Sequence, residues 1–404
     1  MHHFRIARTL GFSTLLLHAA AATSEDHQAS AAPVVFERRN RTIVYHGADG
    51  SIVLSAYTPM VRANDGAVIV LDRRGGGVYR INQDRGPTRI GRHGSGPGEF
   101  KEPVALGWLA DTLWVSDKQT MRVTFLPNEG SGRPRTTTFA SMTGTVVPHT
   151  VPYGVTPFGT VIVASISPAS EVVEQSAALP VLLLDRAGVR VHDTLAMLRV
   201  QNGELIAPVR GSRAIYTVAQ PFSDASLWSV SSDGRWFVQL DRFEPLALNQ
   251  QRSATVSMQS TDGRQRYQRA LPGPRERLAD AEFSDVVERT RARLDSDGKR
   301  VGYGPVDVAR LRAAMYRPTY KPRATEVLVA TAGIVVFRGA ETNVDQVPYT
   351  LLNAEGREIG TFDVGRRQRV RLIHGMQIWS VDEDRDGELY IIREDLVARA
   401  GRGR

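Results

Sequence analysis

Asp382, Asp384 and Asp386, followed by Gly387, set three carboxylates at alternate positions. That is the first half of a loop that can wrap a hard, oxygen-seeking cation such as Ca²⁺. The second half departs from the pattern: position nine is Tyr390, position twelve is Arg393, and Glu394 comes one residue late. An acidic Asp-Gly turn between two strands is the competing reading. Asp382, Asp384 and Asp386 are the candidate metal ligands, with Ca²⁺ the cofactor they would take; Asp295 and Asp297 before Gly298 form a weaker copy. Gly91, Gly94 and Gly96 invite a phosphate-cradling reading, but no Gly-Lys-Ser/Thr follows, and Pro103 stands where the helix of such a loop would begin. There is no Gly-x-Ser-x-Gly elbow. The absence of cysteine excludes thiolate nucleophiles, thiolate zinc sites and disulfides together. His27, His46, His93, His149, His192 and His374 form no close pair at metal-ligand spacing. No residue is assigned a catalytic role.

The elements that must carry these residues repeat. Val70, Val115, Val163, Val238, Val336 and Val381 occupy one equivalent position, with gaps of 45, 48, 75, 98 and 45 residues. Propeller blades recur at roughly 40–50 residues, so three gaps fit directly and two fit with insertions. Pro103 to Phe139 is the clearest unit: four short alternating strands separated by polar turns make a meander. The last unit has three strands of its own. Val34–Glu37 or Thr42–Tyr45 is left over at the N-terminus and would supply the missing outer strand, closing the ring. In the region Pro272 to Thr325, Phe283, Val286, Val287, Thr290 and Leu294 recur at helical spacing, as do Val308, Leu311 and Met315. Asp297-Gly298 is expected to stop the first helix.

The segment Gly91-Arg92-His93-Gly94-Ser95-Gly96-Pro97-Gly98-Glu99-Phe100-Lys101-Glu102-Pro103 resembles the blade junction of NHL-type six-bladed β-propellers, and the match continues through Asp111–Asp117 and Met121–Val123. Ile378–Asp382 and Ile392-Arg393 resemble the last blade of exported bacterial members. The resemblance implies a fold; such propellers include binding scaffolds as well as lyases and hydrolases. It also implies that metal ligands, where present, come from several blades around a central channel, which keeps His93, His149 and His374 in view. In the junction, Gly94, Gly96 and Gly98 let the chain bend sharply. Phe100 can plug between blades, and Asp117 and Arg122 can meet across a hairpin.

Composition agrees with a globular chain of 404 residues, 42% hydrophobic and 23% charged. Arg5 and Arg8, the apolar run Leu10–Leu17 and the small residues Ala19–Ala22 read as a secretory signal, and nothing after it approaches the apolar length of a membrane span. The net charge of +8 is almost entirely arginine, since lysine occurs only at positions 101, 118, 299 and 321. Charges of both signs are interspersed, and no aromatics interleave the densest run, Gly365–Arg371, which argues against nucleic acid.

The expectation is an all-β protein, a six-bladed β-propeller of four-stranded antiparallel blades. Residues 1–22 are a signal peptide, 34–404 the propeller, and 273–325 a helical insertion between blades four and five. The chain is expected to be exported (periplasmic or secreted) and monomeric. Its expected role is non-catalytic binding of a small molecule or protein on one face. The alternative is a metal-dependent hydrolase or lyase with its site at the central channel.

Overall fold

In a computed structural model of the chain, the residues described are 33–399, apart from 84, 128–132, 139–149, 166–177, 186–189, 211–214, 243–253, 272–275, 302–303 and 340–344. The signal-type segment and His149 lie outside them.

A long N-terminal strand, β1 (Val34–His46), precedes a series of antiparallel meanders. The first comprises β2 (Met60–Arg62), β3 (Val68–Asp72), β4 (Gly77–Asn82) and β5 (Gly86–His93), with the short β6 (Glu99–Phe100) beside β5. The second is β7 (Pro103–Leu109), β8 (Thr112–Asp117), β9 (Arg122–Leu126) and β10 (Arg135–Thr138). The third is β11 (Thr150–Val155), β12 (Val161–Ser165), β13 (Ala178–Leu184) and β14 (Val191–Arg199). A separate hairpin, β15 (Glu204–Pro208) and β16 (Ile215–Ala219), leads to the fourth meander. That one holds β17 (Leu227–Val230), β18 (Trp236–Asp241), β19 (Thr255–Ser260) and β20 (Gln265–Ala270). Helices α1 (Asp280–Val301) and α2 (Val308–Ala314) follow. The fifth meander is β21 (Glu326–Val329), β22 (Val335–Arg338), β23 (Gln346–Leu352) and β24 (Glu358–Gly365), and the last is β25 (Arg369–His374), β26 (Gln377–Glu383) and β27 (Leu389–Ala398).

β1 supplies the fourth strand of the last meander. It runs antiparallel to β27 from Phe36 opposite Ala398 to His46 opposite Tyr390. At Val34 and Val35 it also pairs in parallel with β24, so the last two meanders share one hydrogen-bonded sheet. The six valines of the repeat all fall in the second strand of their meander, and five of them are at most 1% exposed; the side chain of Val163 is not described.

Alternation along each strand sends apolar side chains to both sheet faces, so each meander packs against its neighbours. Ile69, Leu71, Val78 and Phe100 of the first meet Leu106, Leu113 and Val115 of the second. Trp114 and Val123 meet Val155, Val161 and Leu184, and Ile162, Val181 and Leu195 meet Phe237. Val238, Val256 and Met258 meet Val327, Val335 and Phe337, and Val336, Tyr349 and Phe362 meet Val370, Ile373 and Ile378. Trp379, Val381 and Ile391 of the last then pack on Met60, Val68 and Val70 of the first. The fold is all-β and propeller-like, with two helices between β20 and β21.

Two local expectations need correction, and one hairpin lies outside the expected repeat. α1 does not stop at Asp297-Gly298 but continues to Val301. Gly298 is there for packing, because a Cβ at that position would collide with the Tyr216 hydroxyl. Asp117 and Arg122 are backbone partners, yet their side chains do not meet. Both reach instead to the 94–102 connection, as described below. The β15–β16 hairpin was not foreseen, although Leu205-Ile206-Ala207 and Ile215-Tyr216-Thr217-Val218 carry the strand signal.

Candidate functional site

Strands alternate in direction within a meander, so the turns from first to second and from third to fourth strand share one face. The turns from second to third strand, and the passages between meanders, leave from the other. The first set is tight. The turns Ala63–Ala67, Ser260–Arg264, Ala330–Ile334 and Asn353–Arg357 each close with a backbone hydrogen bond of 2.8–2.9 Å. Four of the passages between meanders are longer, 47–59, 94–102, 200–226 with its hairpin, and 271–325 with its helices, whereas 366–368 is short. Both faces are thereby defined, a turn face and a connection face.

The first strand of each meander lies nearest the axis. At the turn face that space is bridged. The Trp108 backbone N–H donates to the Ser232 carbonyl at 2.7 Å, joining second and fourth meanders, and the Trp108 indole donates to the Arg62 carbonyl at 3.0 Å. Gly234 in the same turn has φ 68° and sits where a Cβ would strike the Val155 carbonyl. The other face, from which the connections leave, carries charged and aromatic groups.

There, Glu326 opens β21 and faces Arg369 and Arg371 of β25, at 3.0 Å and 3.5 Å. The Arg371 guanidinium also lies 5.8 Å from the ring centre of Tyr57, which is 56% exposed on the 47–59 connection. Tyr153 on β11 meets Trp228 on β17 edge to face at 5.0 Å. Burial pushes the Tyr153 phenol up to about 12, with Arg73 and Glu102 the charged groups that act on it. On the same face is a recess of about 390 Å³ lined by Val53, Leu54, Ser55 and Thr58 of the connection, Arg73 and Arg74 of the β3–β4 turn, and Glu102.

The walls of this site are fixed by buried side chains. The Asp117 carboxylate, wholly buried, accepts from the backbone N–H groups of Lys101 (2.5 Å), Glu102 (3.1 Å) and Thr120 (2.8 Å). Arg122 donates to the carbonyls of Ser95, Gly96 and Glu99. These contacts, with Phe100 buried between meanders, explain the 91–103 junction. Asp72, at the equivalent strand end, accepts from Arg74, Gly75 and Val53 N–H groups.

On the connection face, the hairpin and helices share a core of Leu205, Phe222, Phe283, Val287, Leu294 and Leu311. Arg242 ties this cap down by donating to the carbonyls of Ala225 (2.7 Å) and Ala324 (3.1 Å) and to the Ser223 hydroxyl (3.1 Å). Burial lowers Arg242 to about 10, so it stays charged. The Tyr316 hydroxyl donates to Asp224 at 2.9 Å; burial first, then this bond, holds the phenol near 12.

Asp382, Asp384 and Asp386 lie at the β26–β27 turn on the connection face. Asp384 caps the turn: it accepts from the N–H groups of Asp386 and Glu388, both at 2.9 Å, and from the Tyr390 hydroxyl at 2.6 Å. Asp382 pairs with Arg41 at 2.7 Å. A cation here would have to displace these donors, and among the described residues no three His, Asp or Glu side chains are grouped to hold a metal ion. His93 ends the outer strand β5, whereas His374 ends β25 at the turn face beside Arg62, 3.3 Å away. The two are not brought together. Sequence spacing missed Tyr57, Tyr153, Trp228, Glu326, Arg369 and Arg371, because strands from different meanders deliver them.

No protein-family model matches the chain, and no curated protein matches it. Solved structures resemble it. Virginiamycin B lyase from Staphylococcus aureus aligns over 90% of this chain and 100% of its own, at 11% identity and TM-score 0.42. A gluconolactonase from Xanthomonas campestris aligns over 92% and 99%, at 10% identity and TM-score 0.41. A member of the DUF4221 family from Bacteroides vulgatus aligns over 91% and 99%, at 9% identity and TM-score 0.46. Likenesses of this size assign no activity, substrate or cofactor to the chain.

Proposed function

We propose that this chain is an exported, monomeric six-bladed β-propeller of the NHL type. It binds a small molecule or protein partner, without catalysis, on its connection face. Six blades follow from counting the last meander, completed by β1, as a blade of its own; the packing of that meander on the first supports a closed ring. Export rests on the Arg5 and Arg8, Leu10–Leu17 and Ala19–Ala22 pattern. No helix among the described residues is long and apolar enough to cross a membrane.

One observation carries the binding reading. On the connection face, Tyr57, Arg371, Glu326 and Arg369 form one contact group drawn from separate meanders, and Tyr153 and Trp228 form a second, aromatic one. Aromatic surface with a few convergent polar groups is what ligand sites use.

The test has two parts, both on the chain from Thr23 onward. Metal content is measured after purification, and thermal shifts are recorded with a panel of sugars, organic acids and short peptides. Ligand-induced shifts that Tyr57→Ala and Arg371→Gln abolish support the reading. Stoichiometric zinc or calcium, together with turnover of a lactone or ester panel, overturns it in favour of a metal-dependent hydrolase or lyase.

A further inference from the structure

We propose that the recess on the connection face is a site for a small organic anion, a carboxylate or phosphate ester about the size of a monosaccharide, held by Arg73 and Arg74. The proposal rests on the reading of the connection face as the binding face and adds a ligand class to it.

The charge is available. Arg73 and Arg74 are exposed, line the recess, and make no side-chain hydrogen bond or ion pair with another described residue. Three other arginines at the connection face are occupied: Arg369 and Arg371 face Glu326, and Arg122 holds three carbonyls. Planar guanidinium groups suit carboxylate and phosphate oxygens, which they can engage through two parallel hydrogen bonds.

The geometry is prepared before any ligand arrives. Asp72 is 3% exposed. One of its oxygens accepts from the N–H groups of Arg74 and Gly75, fixing the turn that carries both arginines. Its other oxygen accepts from Val53 N–H at 3.2 Å, fixing the opposite wall to the same carboxylate. A site whose walls are already ordered loses less entropy on binding.

Size and polarity narrow the ligand. A recess of about 390 Å³ is near the small end of ligand pockets, about 300–1,000 Å³. Ser55 offers a hydroxyl, and Thr58, 1% exposed, holds that wall by accepting from the Ser55 N–H at 2.8 Å. Glu102 also lines the recess and is paired with Lys118 at 3.4 Å. A ligand with its anion toward the arginines and its hydroxyl groups toward Ser55 and Glu102 matches the polar lining.

The test is calorimetric titration of the chain from Thr23 onward, at low salt, with D-glucuronate, glucose 6-phosphate and glucose. One or both anions should bind and glucose should not; which anion binds separates a carboxylate ligand from a phosphate. R73Q/R74Q should weaken binding by about tenfold or more, whereas R264Q/R357Q, the same charge loss on the turn face, should leave it within about twofold. Glu102→Gln should tighten it. Binding of neither anion, equal binding of glucose, or wild-type affinity in R73Q/R74Q overturns the proposal. If Arg371→Gln abolishes anion binding and R73Q/R74Q does not, the pocket fails while the connection-face reading stands. Loss only in R264Q/R357Q defeats both.

Discussion

Asp117 and Asp384 show how one residue type is used differently at equivalent turns. Each carboxylate accepts from backbone N–H groups of the turn after a second strand. Asp117 does so wholly buried and holds Lys101 and Glu102 as well. Replacing it by alanine takes the shared acceptor from three part-buried backbone donors, so Asp117→Ala should cost about 3 kcal/mol in urea unfolding. Asp384→Ala, at an exposed turn, should lower the midpoint much less; equal losses would show that burial is not what separates them. The sequence displayed all three aspartates from 382 to 386, but not the partners that occupy two of them. Tyr390 is six residues from Asp384 and Arg41 is at the other end of the chain, so the turn and cation-loop readings could not be parted from spacing alone.

The same contacts set a pH dependence. Asp384 is held below the usual carboxylate range by the Tyr390 hydroxyl, Glu99 by the Gly96 N–H, Asp395 by the Asn40 amide, and Glu282 by the Lys321 ammonium. Each therefore binds its proton more weakly when folded. Their stabilisation is fully present above the unfolded carboxylate range near pH ~4 and is lost as pH falls through the lower folded values. Glu358, pushed up by burial, acts in the opposite sense and blunts the effect. The urea midpoint should be level from pH 7 to 5 and fall below about 4. A midpoint that rises on acidification contradicts these assignments.

Among the elements, the cap made by α1, α2 and the β15–β16 hairpin departs most from the repeat. Its two halves enter from different passages and share one core, so neither can bury its apolar face alone. Phe283 is 3% exposed, stacks on Phe222 at 6.0 Å, and is flanked by the Arg312 and Arg317 guanidiniums. Phe283→Ala should cost the cap about 3–5 kcal/mol. Hydrogen exchange should then show faster amides in α1, α2, β15 and β16, with the propeller sheets unchanged. Acceleration of the sheets to the same degree would make cap and propeller one cooperative unit. Helical periodicity made Phe283, Val287, Leu294 and Leu311 legible as one side of the cap core. It could not reveal that the other side comes from residues 205–222, nor that Gly298 is a packing glycine, because both facts depend on a contact far along the chain.

For the whole molecule, the repeat of Val70, Val115, Val163, Val238, Val336 and Val381 specified the architecture because one strand pattern must be satisfied in every meander. The contacts among Tyr57, Glu326, Arg369 and Arg371 were illegible for the complementary reason: these residues meet in space but share no sequence interval. Closure lies between these cases, since three strands at the C-terminus and one spare at the N-terminus imply it by count. β1 is fastened by more than its ladder. Arg38 donates to Gln368 at 2.8 Å and to Glu394 at 3.1 Å, and Gln368 donates to Glu394 at 2.7 Å, with the Glu394 side chain 4% exposed. Arg38→Met should cost about 3–5 kcal/mol by stranding that carboxylate, and R38M/E394M should recover part of the loss. Removing β1 altogether goes further. A chain beginning at Gly47 loses Tyr45 from the core between the last and first meanders and leaves β27 as an open edge. Open edges pair with other chains, so this truncation should associate in light scattering, and a synthetic Val34–His46 peptide should return it to a monomer. A truncated chain that stays monomeric with an unchanged melting temperature would mean that core packing between meanders, and not the β1–β27 ladder, holds the ring closed.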